Sequence, residues 1–129
     1  MLAIDANVVV RYLTGDHPEQ AARARAVIDT GPVFVPITVL LEVEWVLRSA
    51  YGYRASQRVQ ALVAFAGLRT VNLENPPTAA RAFEAMEAGM DFADALHLAA
   101  SADCEAFLTF DKAFAKAAGA FGGLPIRIP

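Results

Sequence analysis

Gly89-Met90-Asp91-Phe92-Ala93-Asp94-Ala95-Leu96-His97-Leu98-Ala99-Ala100 is the stretch that decides how the chain is read. Two carboxylates three residues apart stand at the mouth of an apolar run, which places them in one turn and on roughly one face of a helix. Asp91 as N-cap with Asp94 three positions on resembles a capping box with an acid where Glu or Gln is usual. Both charges suit the positive end of the helix dipole. The same pair is also half of a metal site if other acids reach the same place.

Working outward, the chain alternates short apolar runs with longer periodic ones. Leu2-Ala3-Ile4-Asp5 reads as a buried strand ending on an acid, and Asn7 as the cap of a helix through Leu13. Pro18 opens a helix from Glu19 to about Asp29, and Gly31-Pro32 breaks the chain before a second strand, Val33-Phe34-Val35. Thr38 caps a helix from Val39 to Ser49, and another helix runs from about Ala55 to Phe65. Arg69 to Leu73 reads as a third strand, and Thr78 begins a helix to Glu87. Phe92 to Ala102 is the next helix, Ala106 to Thr109 a fourth strand, and Asp111 the cap of a helix to Ala118. Leu124 to Ile128 reads as an edge strand, where Pro125 is tolerated.

Strands separated by helices pair in parallel through right-handed crossovers. The expectation is therefore one domain over residues 1–129, a three-layer α/β/α sandwich with a central, mainly parallel sheet of four to five strands. In such a sheet the strand C-termini share one edge, and ligand sites form there. Asp5 ends strand one, Glu42 lies in about the first turn after strand two, Asp91 and Asp94 open the helix leading into strand four, and Asp111 lies just past that strand. No basic residue sits in the first-turn stretches around Asp5, Glu42 or Asp94 to neutralise them. Packed carboxylates raise one another's pKa values and oppose folding unless a cation compensates, and oxygen ligands suit a hard divalent ion.

Glu44, with Arg48 four residues on, is expected to be a solvated surface pair. Glu42 is expected on an apolar face with Thr38, Val39, Trp45 and Val46, where an unpartnered acid is costly and hence informative. Asn7 either caps its helix or orients the Asp5 carboxylate, and Thr109 is either a strand former or a hydroxyl supporting Asp111. His97 reads as packing, because an Asp-x-x-His pair without further His or Cys is a poor transition-metal signal. Trp45, Tyr12 and Phe92 read as core or partner-facing rather than as stacking platforms. Arg11, Arg48 and Lys112 read as a solvated face near the sheet edge, within reach of a phosphate backbone.

The bulk composition sets outer bounds. Of 129 residues 56% are hydrophobic, and the mean hydropathy of +0.37 fits strands covered on both faces by helices. No apolar run is long enough to span a membrane and no secretory leader is evident, so a cytoplasmic location is expected. The single Cys104 reads as a structural thiol. A net charge of −3 argues mildly against a protein that coats nucleic acid. Setting aside Asp5, Glu42, Asp91, Asp94 and Asp111 leaves nine acids against the eleven Lys and Arg, a slightly basic remainder.

Four blocks in order resemble the PIN-domain family, and within it the VapC-type toxins of toxin-antitoxin pairs. They are Ile4-Asp5-Ala6-Asn7-Val8-Val9-Val10-Arg11-Tyr12-Leu13, Pro36-Ile37-Thr38-Val39-Leu40-Leu41-Glu42-Val43-Glu44-Trp45-Val46-Leu47, Asp91-Phe92-Ala93-Asp94-Ala95-Leu96-His97 and Thr109-Phe110-Asp111-Lys112. The resemblance implies an endoribonuclease dependent on Mg²⁺ or Mn²⁺, usually dimeric, and silenced by a cognate antitoxin whose tail enters the acidic groove. By its motif Asp5, Glu42, Asp94 and Asp111 are the catalytic and metal-holding acids, with Asn7, Thr109 and the extra Asp91 in support. Ala6 stands where Thr or Ser is common. A stand-alone nuclease and a catalytically silent RNA- or partner-binding module are the alternatives within the family. Haloacid-dehalogenase phosphatases want a second Asp where Asn7 stands, and receiver domains want a Lys after a late strand. The only lysines here are Lys112 and Lys116.

Overall fold

Val33 and Val35 point to one face of their strand and are wholly buried, and this β-branched run is the middle of a three-stranded parallel sheet. The computed structural model describes residues 1–129 and resolves into two compact units, Met1–Pro76 and Pro77–Pro129. In the first unit β1 (Leu2–Ala3) and β3 (Val71–Leu73) flank β2 (Val33–Val35). Leu2 lies opposite Val33, and Val33, Phe34 and Val35 lie opposite Val71, Asn72 and Leu73. Parallel neighbours need crossovers. Helices α1 (Ala6–Thr14) and α2 (Pro18–Thr30) supply the first, α3 (Ile37–Ser49) and α4 (Ala55–Ala66) the second.

The helix phases follow the apolar stripes. Ala21, Ala24 and Ile28 are buried on α2, Leu62 and Phe65 on α4, and Leu40, Val43 and Leu47 on α3 at 0% exposure. Each buried Leu or Val of this kind contributes roughly 1.5–3 kcal/mol. The α3 stripe runs i, i+3, i+4, i+7, and its i+4 member is Glu44, which is 1% exposed. The expected arrangement of the two acids is thus inverted. Glu44 is buried against Arg58 of α4 at 3.3 Å and Arg48 at 3.7 Å. Thr38, Glu42 and Trp45 lie on the wetted side. The i,i+4 pair with Arg48 exists as expected, but the second arginine comes from another helix, which spacing along α3 does not reveal.

In the second unit α5 (Pro76–Glu87) buries Ala79, Ala82, Phe83 and Met86. Its Phe83 ring stacks on Phe92 at 5.8 Å. Phe92 opens α6 (Phe92–Ala100), which ends two residues before the expected Ala102. β4 (Phe107–Leu108) and β5 (Ile126–Arg127) pair in parallel around α7 (Lys112–Phe121), so the C-terminal run does form a strand beside the fourth. The fold is the α/β sandwich that the alternation predicts, with every strand pair parallel and the five strands hydrogen-bonded as three and two. No helix is long and apolar enough to cross a membrane. Cys104 is exposed rather than buried as a structural thiol.

Polar ties set the loop after α1. Gly15 takes a left-handed φ of 67° at the helix C-cap, where a side chain would be strained. Beyond it Asp16 accepts hydrogen bonds from Tyr51 Oη at 2.6 Å and Thr14 Oγ1 at 2.9 Å, and pairs with Arg11 at 3.3 Å. The Tyr51 hydroxyl, foremost, and then Thr14, Arg11 and His17 hold its carboxyl below the ordinary 3.8. A depressed carboxyl contributes stability above its unfolded value and loses it as the pH falls through its folded value. Tyr51→Phe should therefore bring the Asp16 carboxyl back towards 3.8 in an NMR titration. The stability gap between wild type and variant should close in acid and be open at neutral pH.

Candidate active site

Three candidate acids begin helices. Asp5 stands one residue past β1, beyond Ile4, whose N–H donates to Phe34 O at 3.1 Å, and its Oδ1 accepts from the Ala6 N–H at 2.7 Å. It is the N-cap of α1. The expected cap, Asn7, is the second residue of the helix and points to solvent, because Asp5 already provides the acceptor one position earlier. Asp91 caps α6, accepting from the Asp94 N–H at 3.2 Å, as the opening stretch predicts. Asp111 caps α7 through the Phe114 N–H at 3.0 Å, and Thr109 Oγ1 accepts from the Asp111 N–H at 2.9 Å. Thr109 thus fixes the turn that presents Asp111.

Asp94 lies in the first turn of α6 and is half-buried. Its carboxyl is raised above the ordinary 3.8, foremost by burial and then by the charges of Asp91 and Asp111, against an opposing pull from His97. Thus three acids of the second unit share one electrostatic neighbourhood. His97, expected to pack, is exposed in the last turn of α6, where a basic group suits the helix C-terminus.

In the first unit Glu42 is exposed in the second turn of α3 rather than the first. Pro36 stands at the N-cap of α3 and offers no side-chain acceptor, and the expected cap Thr38 is already inside the helix. Glu74 supplies the acceptor instead, its Oε1 taking the Ile37 N–H at 2.9 Å. This acid went unread in the sequence. It follows β3 directly, as Asp5 stands one residue past β1, so an acid at the end of a strand is the available signal.

All these groups offer carboxylate oxygen, the donor chemistry of Mg²⁺ and Mn²⁺. The like charges around Asp94 are what a cation would relieve. No set of three or more Asp, Glu, His or Cys is arranged to hold an ion as it stands. Of the other expected contacts, Arg11 is engaged with Asp16, Gln20 and Tyr51, and Arg48 with Glu44. Phe92 is core at 1% exposure, whereas Trp45 is 57% exposed.

Among curated proteins none matches the chain. The sequence model of the PIN domain matches residues 2–120, nearly the whole length, and the chain belongs to the PIN-domain family.

Proposed function

We propose that this protein is a Mg²⁺- or Mn²⁺-dependent endoribonuclease that hydrolyses RNA phosphodiester bonds, acting as the toxin of a VapBC-type pair. PIN domains are generally nucleases that act on RNA, and they generally bind divalent metal ions. The observation that carries the reading is the half-buried Asp94 with Asp91 and Asp111 charged beside it. Such a concentration of negative charge opposes folding and is retained where it serves a cation.

By the family's motif Asp5, Glu42, Asp94 and Asp111 are the residues that would hold the ion. The bound ion supplies acidification of a coordinated water and charge neutralisation at the phosphate. The chain's own part is positional. Asp91 anchors the Asp94 backbone, and Thr109 anchors that of Asp111. Both carboxylates therefore start from fixed helix ends, a geometry that favours oriented attack. The single cysteine lies in an exposed loop, and no Ser-His pair accompanies the acids, so the water is the nucleophile. A cytoplasmic homodimer silenced by a cognate antitoxin completes the proposal, with residues 1–129 acting as one nuclease domain.

Purified free of antitoxin, the protein should cut structured RNA when Mg²⁺ or Mn²⁺ is present. Chelation by EDTA should stop cleavage, and restoring either ion should bring it back. Cleavage that persists in EDTA would remove the metal-dependent mechanism. A small DNA-binding protein encoded immediately upstream would support the toxin role, and its absence would favour a stand-alone nuclease.

A further inference from the structure

Three elements of the first unit meet at Glu74. β3 ends at Leu73, opposite Val35, the last residue of β2. The Glu74 N–H donates to Val35 O at 2.9 Å, and its Oε1 accepts from the Ile37 N–H at 2.9 Å. One residue thus grips both sides of Pro36, taking the last carbonyl of β2 and the first N–H of α3. Pro36 offers no side-chain acceptor, and its carbonyl already takes the Val39 and Leu40 N–H groups, so Ile37 finds its partner outside the run. Directly beyond Glu74, Asn75 takes a left-handed φ of 50° before Pro76. Asn is among the few side chains that visit this region, and a following proline restricts it further. Such a geometry persists only where its surroundings impose it.

Glu42 depends on this start. In an α-helix its N–H bonds to the carbonyl four residues back, at Thr38 in the first turn. The buried residues of α3 begin at Val39 and Leu40, so they fix the roll of the helix and leave the half-buried Ile37 and the exposed Thr38 to the cap. Without an outside acceptor that first turn frays, and Glu42 loses the backbone partner that sets its direction. Resting on the nuclease reading above, we propose that Glu74 is a positioning residue for the metal-dependent reaction: its carboxylate acts on α3 rather than on ion or RNA, and holds the turn from which Glu42 would reach the ion. Outer groups that hydrogen-bond around a metal site orient its ligands in this way. What Glu74 supplies is an acceptor oxygen at the right reach, and its charge at the positive end of the helix dipole is secondary.

Mn²⁺ affinity, followed by titration calorimetry, gives a readout independent of turnover, with every protein compared well below its Tm. Glu74→Ala should weaken Mn²⁺ binding and lower kcat by about 10- to 100-fold, with KM for RNA within about twofold and Tm lower by about 2–5 °C. Glu74→Gln, which keeps an acceptor at the same reach and drops the charge, should recover most of the loss. Glu74→Asp keeps the charge but is one methylene short; it should resemble Glu74→Ala, and it carries the test if the alanine variant fails to fold. In a Glu42→Ala background, adding Glu74→Ala should change Mn²⁺ affinity by less than about twofold, because the group it positions is gone, while the fall in Tm persists. A fall in Tm with Mn²⁺ affinity unmoved makes Glu74 a helix cap alone and overturns the proposal. An active Glu74→Asp beside a Glu74→Gln as damaged as Glu74→Ala assigns the effect to charge and also overturns it. The expected Mn²⁺ pattern without RNA cleavage under any divalent ion keeps the positioning and sinks the nuclease reading, whereas wild-type protein that binds no divalent ion sinks both.

Discussion

Asp94→Asn should lower metal-dependent RNA cleavage by at least about a hundredfold, since an ion-holding carboxylate is worth several kcal/mol of transition-state stabilisation. The same substitution should stabilise the metal-free protein. Asp94 is raised above 3.8 by burial and by Asp91 and Asp111, so the folded chain holds its proton more tightly than the unfolded chain does. Stability is therefore lost as the pH rises from the unfolded value through the folded one, and the penalty is complete at neutral pH. Asn carries no charge and escapes that penalty. The variant's Tm should exceed that of wild type by up to about 4 °C at neutral pH, a small shift because the group is only half-buried. The difference should vanish below the unfolded value. Adding Mg²⁺ should raise the wild-type Tm by mass action and leave the variant nearly unmoved. A variant that melts earlier than wild type in EDTA at pH 7 would contradict the like-charge account of this site.

The largest effect on folding is expected at Glu44. Removing this carboxylate strands the Arg58 guanidinium, whose side chain is 15% exposed and whose buried Nε makes no hydrogen bond and has the Glu44 charge 3.3 Å away as its compensation. Arg58 keeps only the bond from Nη1 to Tyr53 O at 2.6 Å. Glu44→Ala should destabilise by about 3 kcal/mol, at the lower end for breaking a buried pair because Arg48 and part of Arg58 reach water. In urea that is a fall of about 1–2 M in midpoint. Replacing both partners, Glu44→Leu with Arg58→Met, should recover most of the loss, because the cost lies in the unpaired charge rather than in the absent bridge. A loss below about 1 kcal/mol for Glu44→Ala would mean that solvent already screens the pair.

These two acids also mark how far the sequence could be read. Local signals were sufficient for what local chemistry decides. The Asp91 and Asp111 caps, the β-branched β2 and the apolar stripes of α2 and α6 follow from residues a few positions apart. Glu44 was misread because its burial depends on the phase of α3 against α4 and on an arginine from that second helix. The α3 start was misplaced for a similar reason, since its cap comes from Glu74 across the sheet edge and not from Thr38 within the run. β2 keeps its expected bounds, whereas the other four strands are two or three residues shorter than expected, because pairing rather than composition ends them. Of the candidate acids Asp5 and Asp111 stand just past strands, and the same rule applied once more points to Glu74. Of the two settings expected for Trp45, core and partner-facing, its 57% exposure excludes the core, because an apolar side chain on an amphipathic helix carries no label for which side it faces.

Asp5, Asp91 and Asp111 each begin a helix with their own side chain, so each position is asked two questions at once. Asn or Ser would start the helix equally well but would bring no negative charge. Glu would bring the charge, but its longer side chain is a poor N-cap. Aspartate alone among the amino acids answers both, so on the proposed reading a substitution at these positions that spares the architecture gives up the charge a metal ion would need. One that keeps the charge frays the helix end that carries it.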